Sequence, residues 1–87
     1  MNIENKTAVI TGAGSGIGAA LARQLAAAGA NLALLDLRDD RIQTLAAELS
    51  TSSNQITAHA VDVSNRQAMQ AIADDVITAN GNIHLLV

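Results

Sequence analysis

The amino-acid sequence predicts an α/β fold built on a parallel β-sheet with helices on both faces. Short apolar and β-branched runs alternate with longer stretches of helical periodicity, in the order β-α-β-α-β-α-β. The second apolar run lacks a polar–apolar alternation, as expected for a strand covered on both faces. A glycine-rich segment at residues 11–18 separates the first strand from the first helix. This alternation implies right-handed crossovers and a single domain over residues 1–87.

The first strand is predicted at Thr7–Ile10, because this run combines β-branched and apolar residues. The alanine- and leucine-rich stretch at residues 19–28 predicts the first helix, and Gly29 is placed to end it. The residues expected to face the sheet from this helix are Ile17, Leu21, Leu25 and Ala28.

The second strand is predicted at Asn31–Leu35 and ends at Asp36. Asp39 and Asp40 are expected to begin the second helix, since negative charge stabilises the N-terminus of a helix. The predicted buried stripe of this helix consists of Ile42, Leu45, Ala46 and Leu49.

Residues 50–54 form a polar loop before the third strand, predicted at Gln55–Val61 and followed by Asp62. Ser64 and Gln67 match a capping box, with Ser64 as the N-cap of the third helix. The buried stripe predicted for that helix is Met69, Ile72, Ala73 and Val76, with Gly81 near its end. Residues 83–87 predict a fourth strand, and the expected strand order is 3-2-1-4.

The glycine-rich segment Thr11-Gly-Ala-Gly-Ser-Gly-Ile-Gly18 predicts a site for a diphosphate. Glycine permits positive φ and lets the backbone come close to a ligand, and the unpaired first-turn amides of a helix attract anions. The Rossmann fingerprint also requires an acidic residue about 20 positions further on, at the end of the next strand. Asp36 lies there, so the sequence predicts a Rossmann-type dinucleotide-binding sheet.

Composition excludes several other functions. The net charge of −3 gives no basic footprint for nucleic acid, and the chain has no cysteine for disulfides, thiolate metal sites or a nucleophile. No apolar stretch approaches the ~20 residues that span a bilayer, so we expect a cytoplasmic protein without membrane contact. His59 and His84 are single strand residues without a metal-site spacing, and a structural role is expected for both.

Three segments resemble the short-chain dehydrogenase/reductase family. The segment at residues 11–18 is similar to the family's TGxxxGIG cofactor motif, and Asp62-Val63 resembles the Asp-Val pair after its third strand. Residues 81–87 resemble the run into the family's fourth strand, where an Asp is commoner than His84. The resemblance covers the whole chain and implies an NAD(P)-dependent oxidoreductase that transfers a hydride between cofactor and an alcohol or carbonyl substrate.

The resemblance also implies roles for individual residues. Loop residues surround the diphosphate and the adjoining ribose, Asp36 accepts hydrogen bonds from the adenosine ribose, and Asp62 binds the adenine amino group. The complete set of implied cofactor-binding residues is Gly12, Gly14, Ser15, Gly16, Ile17, Gly18, Asp36, Leu37, Asp62 and Val63.

Asp36 favours NAD over NADP, because its carboxylate repels a 2′-phosphate. Ser15 and Leu37 stand where NADP-preferring members of the family often carry a basic residue, and neither is cationic here. Arg38 is interpreted as a solvated residue at the start of a helix.

The family's catalytic Ser and its Tyr-x-x-x-Lys motif are not in this chain, which has no tyrosine and a single lysine, Lys6. We therefore expect no catalytic residue and no metal ligand among these 87 residues. The chain is expected to be the inactive N-terminal part of a longer enzyme, whose relatives commonly form homo-oligomers.

Two other functions remain open at the level of sequence. Residues 14–18 also satisfy the GxGxG pattern of methyltransferases that bind S-adenosylmethionine, although Gly12 stands where those enzymes usually carry an acidic residue. The other function is a dinucleotide-binding module without catalysis. A P-loop is excluded, because no Lys-Ser/Thr follows the glycines.

Overall fold

The computed structural model describes residues 3–50 and 54–87, and within them it has a parallel sheet of strand order β3-β2-β1-β4. The elements are β1 (Thr7–Thr11), α1 (Gly16–Ala27), β2 (Asn31–Asp36), α2 (Asp39–Leu49), β3 (Ile56–Ala60), α3 (Arg66–Asn80) and β4 (Leu85–Leu86). The predicted element order and strand order are confirmed. Residues 51–53 of the predicted polar loop lie outside the described residues. No described helix has the length and apolarity needed to cross a membrane.

The two central strands place alternate side chains on opposite faces of the sheet, as the pleat of a strand requires. On β1, Ala8 and Ile10 pack in a cluster with buried residues of α1 and α2. Val9 faces the other way, in a cluster that includes Val76 of α3. On β2 all of residues 32–35 are buried. The strand therefore lacks a polar–apolar alternation because both of its faces are covered, as predicted. Helices therefore cover both faces of the sheet.

The buried face of α1 differs from the predicted stripe. Ile17 is 87% exposed and Ala28 is also exposed, so the prediction that these two residues face the sheet is wrong. Gly18 and Ala22 are the buried residues of the helix. The buried face is shifted by about one position because these small side chains let the α1 backbone approach the sheet, which turns Ile17 outward in the first turn.

The start of α3 also differs from the prediction. Asn65 is the N-cap, and its side chain accepts a hydrogen bond from the Ala68 amide at 3.1 Å. The Ser64 hydroxyl instead donates to Asp62 Oδ1 at 2.7 Å. The predicted capping box of Ser64 and Gln67 is therefore wrong, because a charge-assisted bond to a carboxylate competes successfully for the serine hydroxyl.

His84 takes part in the pairing between the N-terminal ends of β1 and β4. Its backbone N–H donates to the Thr7 carbonyl at 2.8 Å, and its ring Nδ1 accepts from the Thr7 N–H at 3.1 Å. Because Nδ1 is the acceptor, the neutral ring carries its proton on Nε2. Thr7 is 1% exposed, so the imidazole satisfies a backbone donor that has little access to water.

We predict that His84→Leu destabilises the protein by about 1–3 kcal/mol, because the Thr7 N–H then lacks its partner. His84→Asn is the matched control, since its side-chain oxygen supplies an acceptor of similar reach, and it is expected to retain most of the stability. Urea denaturation of the three proteins measures the difference. Equal losses for Leu and Asn would show that the acceptor at this position is unimportant.

Candidate functional site

The glycine-rich loop leaves the carboxyl end of β1 and is fixed by bonds within itself. Gly12 has φ +64°, in the left-handed region that favours glycine. The Ser15 hydroxyl donates to the Gly12 carbonyl at 2.7 Å and accepts from the Gly18 amide at 3.2 Å. Ser15 is thus the N-cap of α1, and it ties the first turn of the helix to the start of the loop.

Most loop amides already have protein partners. The Ala13 amide donates to the Leu35 carbonyl and the Ser15 amide to the Gly12 carbonyl, each at 3.0 Å. The Gly16 and Ile17 amides, at the beginning of α1, donate to no described residue. They lie at the positive end of the helix dipole, so this pair of donors is suited to an anion.

Gly18 is buried beneath the loop and has a packing role there. A Cβ at this position would lie 2.3 Å from the Gly12 carbonyl oxygen and 3.0 Å from the Ala13 Cα. Only glycine therefore allows α1 to begin this close to the loop. Because its amide is already bonded to Ser15, a direct contact between Gly18 and a cofactor remains a prediction.

Asp36 ends β2 beside the loop, and both of its carboxylate oxygens accept a backbone hydrogen bond. Oδ1 accepts from the Arg38 amide and Oδ2 from the Gly14 amide, each at 2.9 Å. The Arg38 amide is the main cause of a lowered pKa for Asp36; burial opposes it, and the Gly14 amide and the Arg38 charge add to it. Since a carboxylate has about four acceptor sites, two further donors such as a ribose diol can still bind.

Asp62, just beyond β3, has an asymmetric arrangement of partners. The Ser64 hydroxyl and amide both donate to Oδ1, at 2.7 and 2.9 Å, and the hydroxyl is the main cause of a lowered pKa for Asp62. Oδ2 accepts no hydrogen bond from the described residues. Asp62 therefore presents one ionised oxygen that is free for a ligand.

Two grooves meet at Asp36. One, the apolar groove, has a volume of about 230 Å³, and it is lined by Gly12, Asp36, Leu37, Val61, Asp62 and Val63. Its walls include the exposed apolar side chains of Leu37 and Val63, which together with two carboxylates suit a flat heterocycle carrying hydrogen-bond donors. The other, the polar groove, has a volume of about 370 Å³, and it is lined by Gly14, Ser15, Gly16, Asp36, Arg38 and Arg41.

The structure thus brings most of the predicted site residues to one edge of the sheet. The exceptions are Gly18, which lies below the loop, and Ile17; neither lines either groove. Ile17 borders the loop through its amide, while its side chain is exposed. Sequence analysis missed Arg41, which lines the polar groove with Arg38. Their spacing of three residues at a helix start was the available signal, because the N-cap residue and the third residue of a helix lie close together.

Comparison with known proteins identifies the family. The family model described as short chain dehydrogenase matches residues 6–87. The chain belongs to the short-chain dehydrogenase family.

Curated members of the short-chain dehydrogenase family match nearly the whole chain. D-threitol dehydrogenase from Mycolicibacterium smegmatis is 40% identical over 85 residues, which cover 98% of this chain and 33% of that relative. The 1-deoxy-11-beta-hydroxypentalenate dehydrogenase from Streptomyces exfoliatus is 35% identical over 86 residues, which cover 99% of this chain and 31% of that relative. The chain spans about a third of the length of these two relatives.

Solved short-chain dehydrogenase structures share the fold. A short-chain dehydrogenase/reductase from Burkholderia phymatum in complex with NAD has a TM-score of 0.91 and 37% identity, covering 99% of this chain and 31% of that one. A metagenomic short-chain oxidoreductase in complex with NADP has a TM-score of 0.87 and 32% identity, and the match covers 99% of this chain and 39% of that one. The resemblance inferred from the sequence is confirmed, and the methyltransferase alternative has no support.

We predict that Gly18→Ala destabilises the protein by about 1–3 kcal/mol, because its Cβ must displace backbone atoms of the loop. Gly16→Ala is the matched control in the same turn, since a Cβ there meets nothing within 4 Å. That control should leave the free energy of unfolding unchanged or raise it slightly, as alanine is the better helix former. Chemical denaturation compares the two, and equal effects would argue against a steric role for Gly18.

Proposed function

We propose that the chain binds a nicotinamide adenine dinucleotide across the carboxyl ends of its parallel strands. The observation that carries the proposal is that Gly16 lines the same groove as the ionised side chain of Asp36. The amides of Gly16 and of the next residue, Ile17, donate to no described residue. An anion and a sugar diol side by side are what a nucleotide diphosphate offers. Open α/β sheets bind such ligands at this edge.

The diphosphate is assigned to the amides of Gly16 and Ile17. Gly12 and Gly18 support this assignment by shaping the loop, and Ser15 by capping the helix. The positive φ of Gly12 turns the chain, and the absent Cβ of Gly18 brings the helix start close to the loop. Gly14 lines the polar groove and donates to Asp36.

The adenosine is assigned to the two carboxylates and the apolar groove between them. Asp36 accepts the ribose hydroxyls through its two remaining acceptor sites. The adenine ring lies between Leu37 and Val63, and its amino group donates to the free Oδ2 of Asp62. The lining of the groove by all four residues supports this placement.

The cofactor is proposed to be NAD. A 2′-phosphate bound at the ribose would face the Asp36 carboxylate, and like charges about 4 Å apart repel by about 4 kcal/mol at an effective dielectric of 20, less where water has access. Solved relatives contain either cofactor, NAD in the Burkholderia phymatum protein and NADP in the metagenomic one. The choice in this chain therefore depends on its own residues.

For the whole protein we propose hydride transfer between the nicotinamide and a small alcohol or carbonyl compound. The alcohol gives a hydride to the oxidised cofactor and a proton to a general base, and it becomes a carbonyl. The names of two dehydrogenase relatives support this reaction class. The family's catalytic Ser and Tyr-x-x-x-Lys motif have no counterpart in these 87 residues, whose role is to bind the cofactor. The family resemblance further supports a cytoplasmic homo-oligomer.

Calorimetric titration with NAD, NADP and S-adenosylmethionine tests the ligand. We predict binding of NAD in preference to NADP and no binding of S-adenosylmethionine. Asp36→Asn should weaken NAD about tenfold while affecting NADP less, because the charge that binds the diol and repels the phosphate is gone. Asp74→Asn removes the same charge from an exposed site on α3 and should change neither affinity.

Two outcomes contradict the proposed binding site, and a third contradicts the proposed reaction. Binding of S-adenosylmethionine but not NAD would refute the dinucleotide site. Equal effects of Asp36→Asn and Asp74→Asn would show that Asp36 does not contact the ribose. For the whole protein, NAD binding without reduction of the cofactor by any of a panel of small alcohols and polyols would favour a binding module without catalysis.

A further inference from the structure

Gly14 occupies a position where a side chain has no room. A Cβ built on Gly14 would lie 2.9 Å from Asp36 Oδ2 and 3.0 Å from its Cγ, with Arg41 Cβ at 3.4 Å. The first two distances are shorter than van der Waals contact, and they are to the carboxylate that the proposed function places on the ribose. The space that a side chain would fill at residue 14 is therefore taken by the Asp36 carboxylate.

The same glycine also holds that carboxylate. Its amide donates to Asp36 Oδ2 at 2.9 Å, so the bond forms across the gap that the absent Cβ leaves. The other oxygen, Oδ1, is bonded to the Arg38 amide. Two amides from two loops thus fix the carboxylate at the junction of the two grooves. Of the two donor positions, residue 14 is the one where a Cβ would lie against the carboxylate.

The surroundings show what a displacement of Asp36 would change. Arg38 and Arg41 line the polar groove together with Asp36, so the carboxylate is the negative group in a groove that otherwise carries two cations. With the carboxylate in place, a 2′-phosphate on the ribose bound at Asp36 is repelled by its negative charge. With the carboxylate moved away, the two guanidinium groups are the charges that a phosphate would meet.

We infer that Gly14 is a positioning residue for Asp36, and that its missing side chain sets the preference for a free 2′-hydroxyl over a 2′-phosphate on the cofactor. The inference rests on the proposed binding of the ribose by Asp36. It assigns to Gly14 a role that differs from that of Gly16, because a Cβ at Gly16 meets nothing within 4 Å. Gly14 acts through the carboxylate, whereas Gly16 supplies an amide to the diphosphate.

The test compares Gly14→Ala, Gly16→Ala and Asp36→Asn in the full chain by titration with NAD and NADP. Gly14→Ala should weaken NAD about tenfold and NADP less, so that the ratio of the two dissociation constants moves toward that of Asp36→Asn. Gly16→Ala places a methyl group at the diphosphate, which both cofactors share, so it should weaken both equally and leave the ratio unchanged.

A second readout needs no cofactor. Titration of the Asp36 carboxyl carbon by NMR in the free protein should show that Gly14→Ala raises the pKa of Asp36, since the Gly14 amide helps to lower it. Gly16→Ala should leave that pKa unchanged. If Gly14→Ala alone does not fold, the double variant Gly14→Ala/Asp36→Ala relieves the clash with the carboxylate, and it should have the same NAD/NADP ratio as Asp36→Ala.

The results distinguish the positioning role of Gly14 from the proposed contact between Asp36 and the ribose. The role of Gly14 is overturned if Gly14→Ala leaves both the ratio of the NAD and NADP dissociation constants and the Asp36 pKa unchanged. It is also overturned if Gly14→Ala weakens the binding of both cofactors equally. A double variant whose ratio differs from that of Asp36→Ala also overturns it, because residue 14 would then act independently of the carboxylate. If instead Asp36→Asn leaves the ratio unchanged, the proposed ribose contact fails, whatever Gly14→Ala does to the pKa.

Discussion

The parallel pairing of β1 with β2 is the constraint on which the site depends. Its register runs from Thr7 opposite Asn31 to Thr11 opposite Leu35. The segments that follow the two strands therefore emerge side by side, and the Ala13 amide continues the pairing by donating to the Leu35 carbonyl. A shift of one residue would turn each side chain of β2 to the other face of the sheet and would separate Asp36 from the loop.

Small residues make this pairing compatible with a helix lying directly on the sheet. Gly18 and Ala22 form the buried face of α1, and Ala8 and Ala13 are buried beside them in the same part of the core. Close approach of the helix start brings Gly16, whose amide has no partner among the described residues, into the same groove as the Asp36 carboxylate. Packing and the proposed ligand recognition thus depend on the same small residues.

Patterns that repeat along the chain predicted the fold well. The apolar run of β2, the stripe of α2 and the acidic residue that ends β2 each follow from periodicity or spacing, and the structure has them where they were expected. The sequence did not predict which of two similar hydrogen-bond acceptors or packing positions a side chain would take. Ser64 bonds Asp62 rather than capping α3, and Ile17 faces outward because smaller neighbours fit the sheet better.

Contacts between residues distant in the chain were also beyond the sequence. The hydrogen bond from the Gly14 amide to Asp36 spans 22 positions, and that from the Thr7 amide to His84 spans 77. The type of residue at either donor does not indicate which side chain accepts the bond. The spacing of the fingerprint predicted that Asp36 lies near the loop, yet it could not show that a glycine amide holds the carboxylate.

The alanine-rich core has a thermodynamic consequence. The chain contains no aromatic residue, and alanines supply six of the fifteen buried hydrophobic positions among the described residues, so each buried residue removes little apolar surface from water. The heat-capacity change on unfolding scales with that surface, and it sets the curvature of stability against temperature. Such a domain has a shallow stability curve, and its unfolding free energy varies less between cold and warm conditions than that of a domain of equal length with large side chains in its interior.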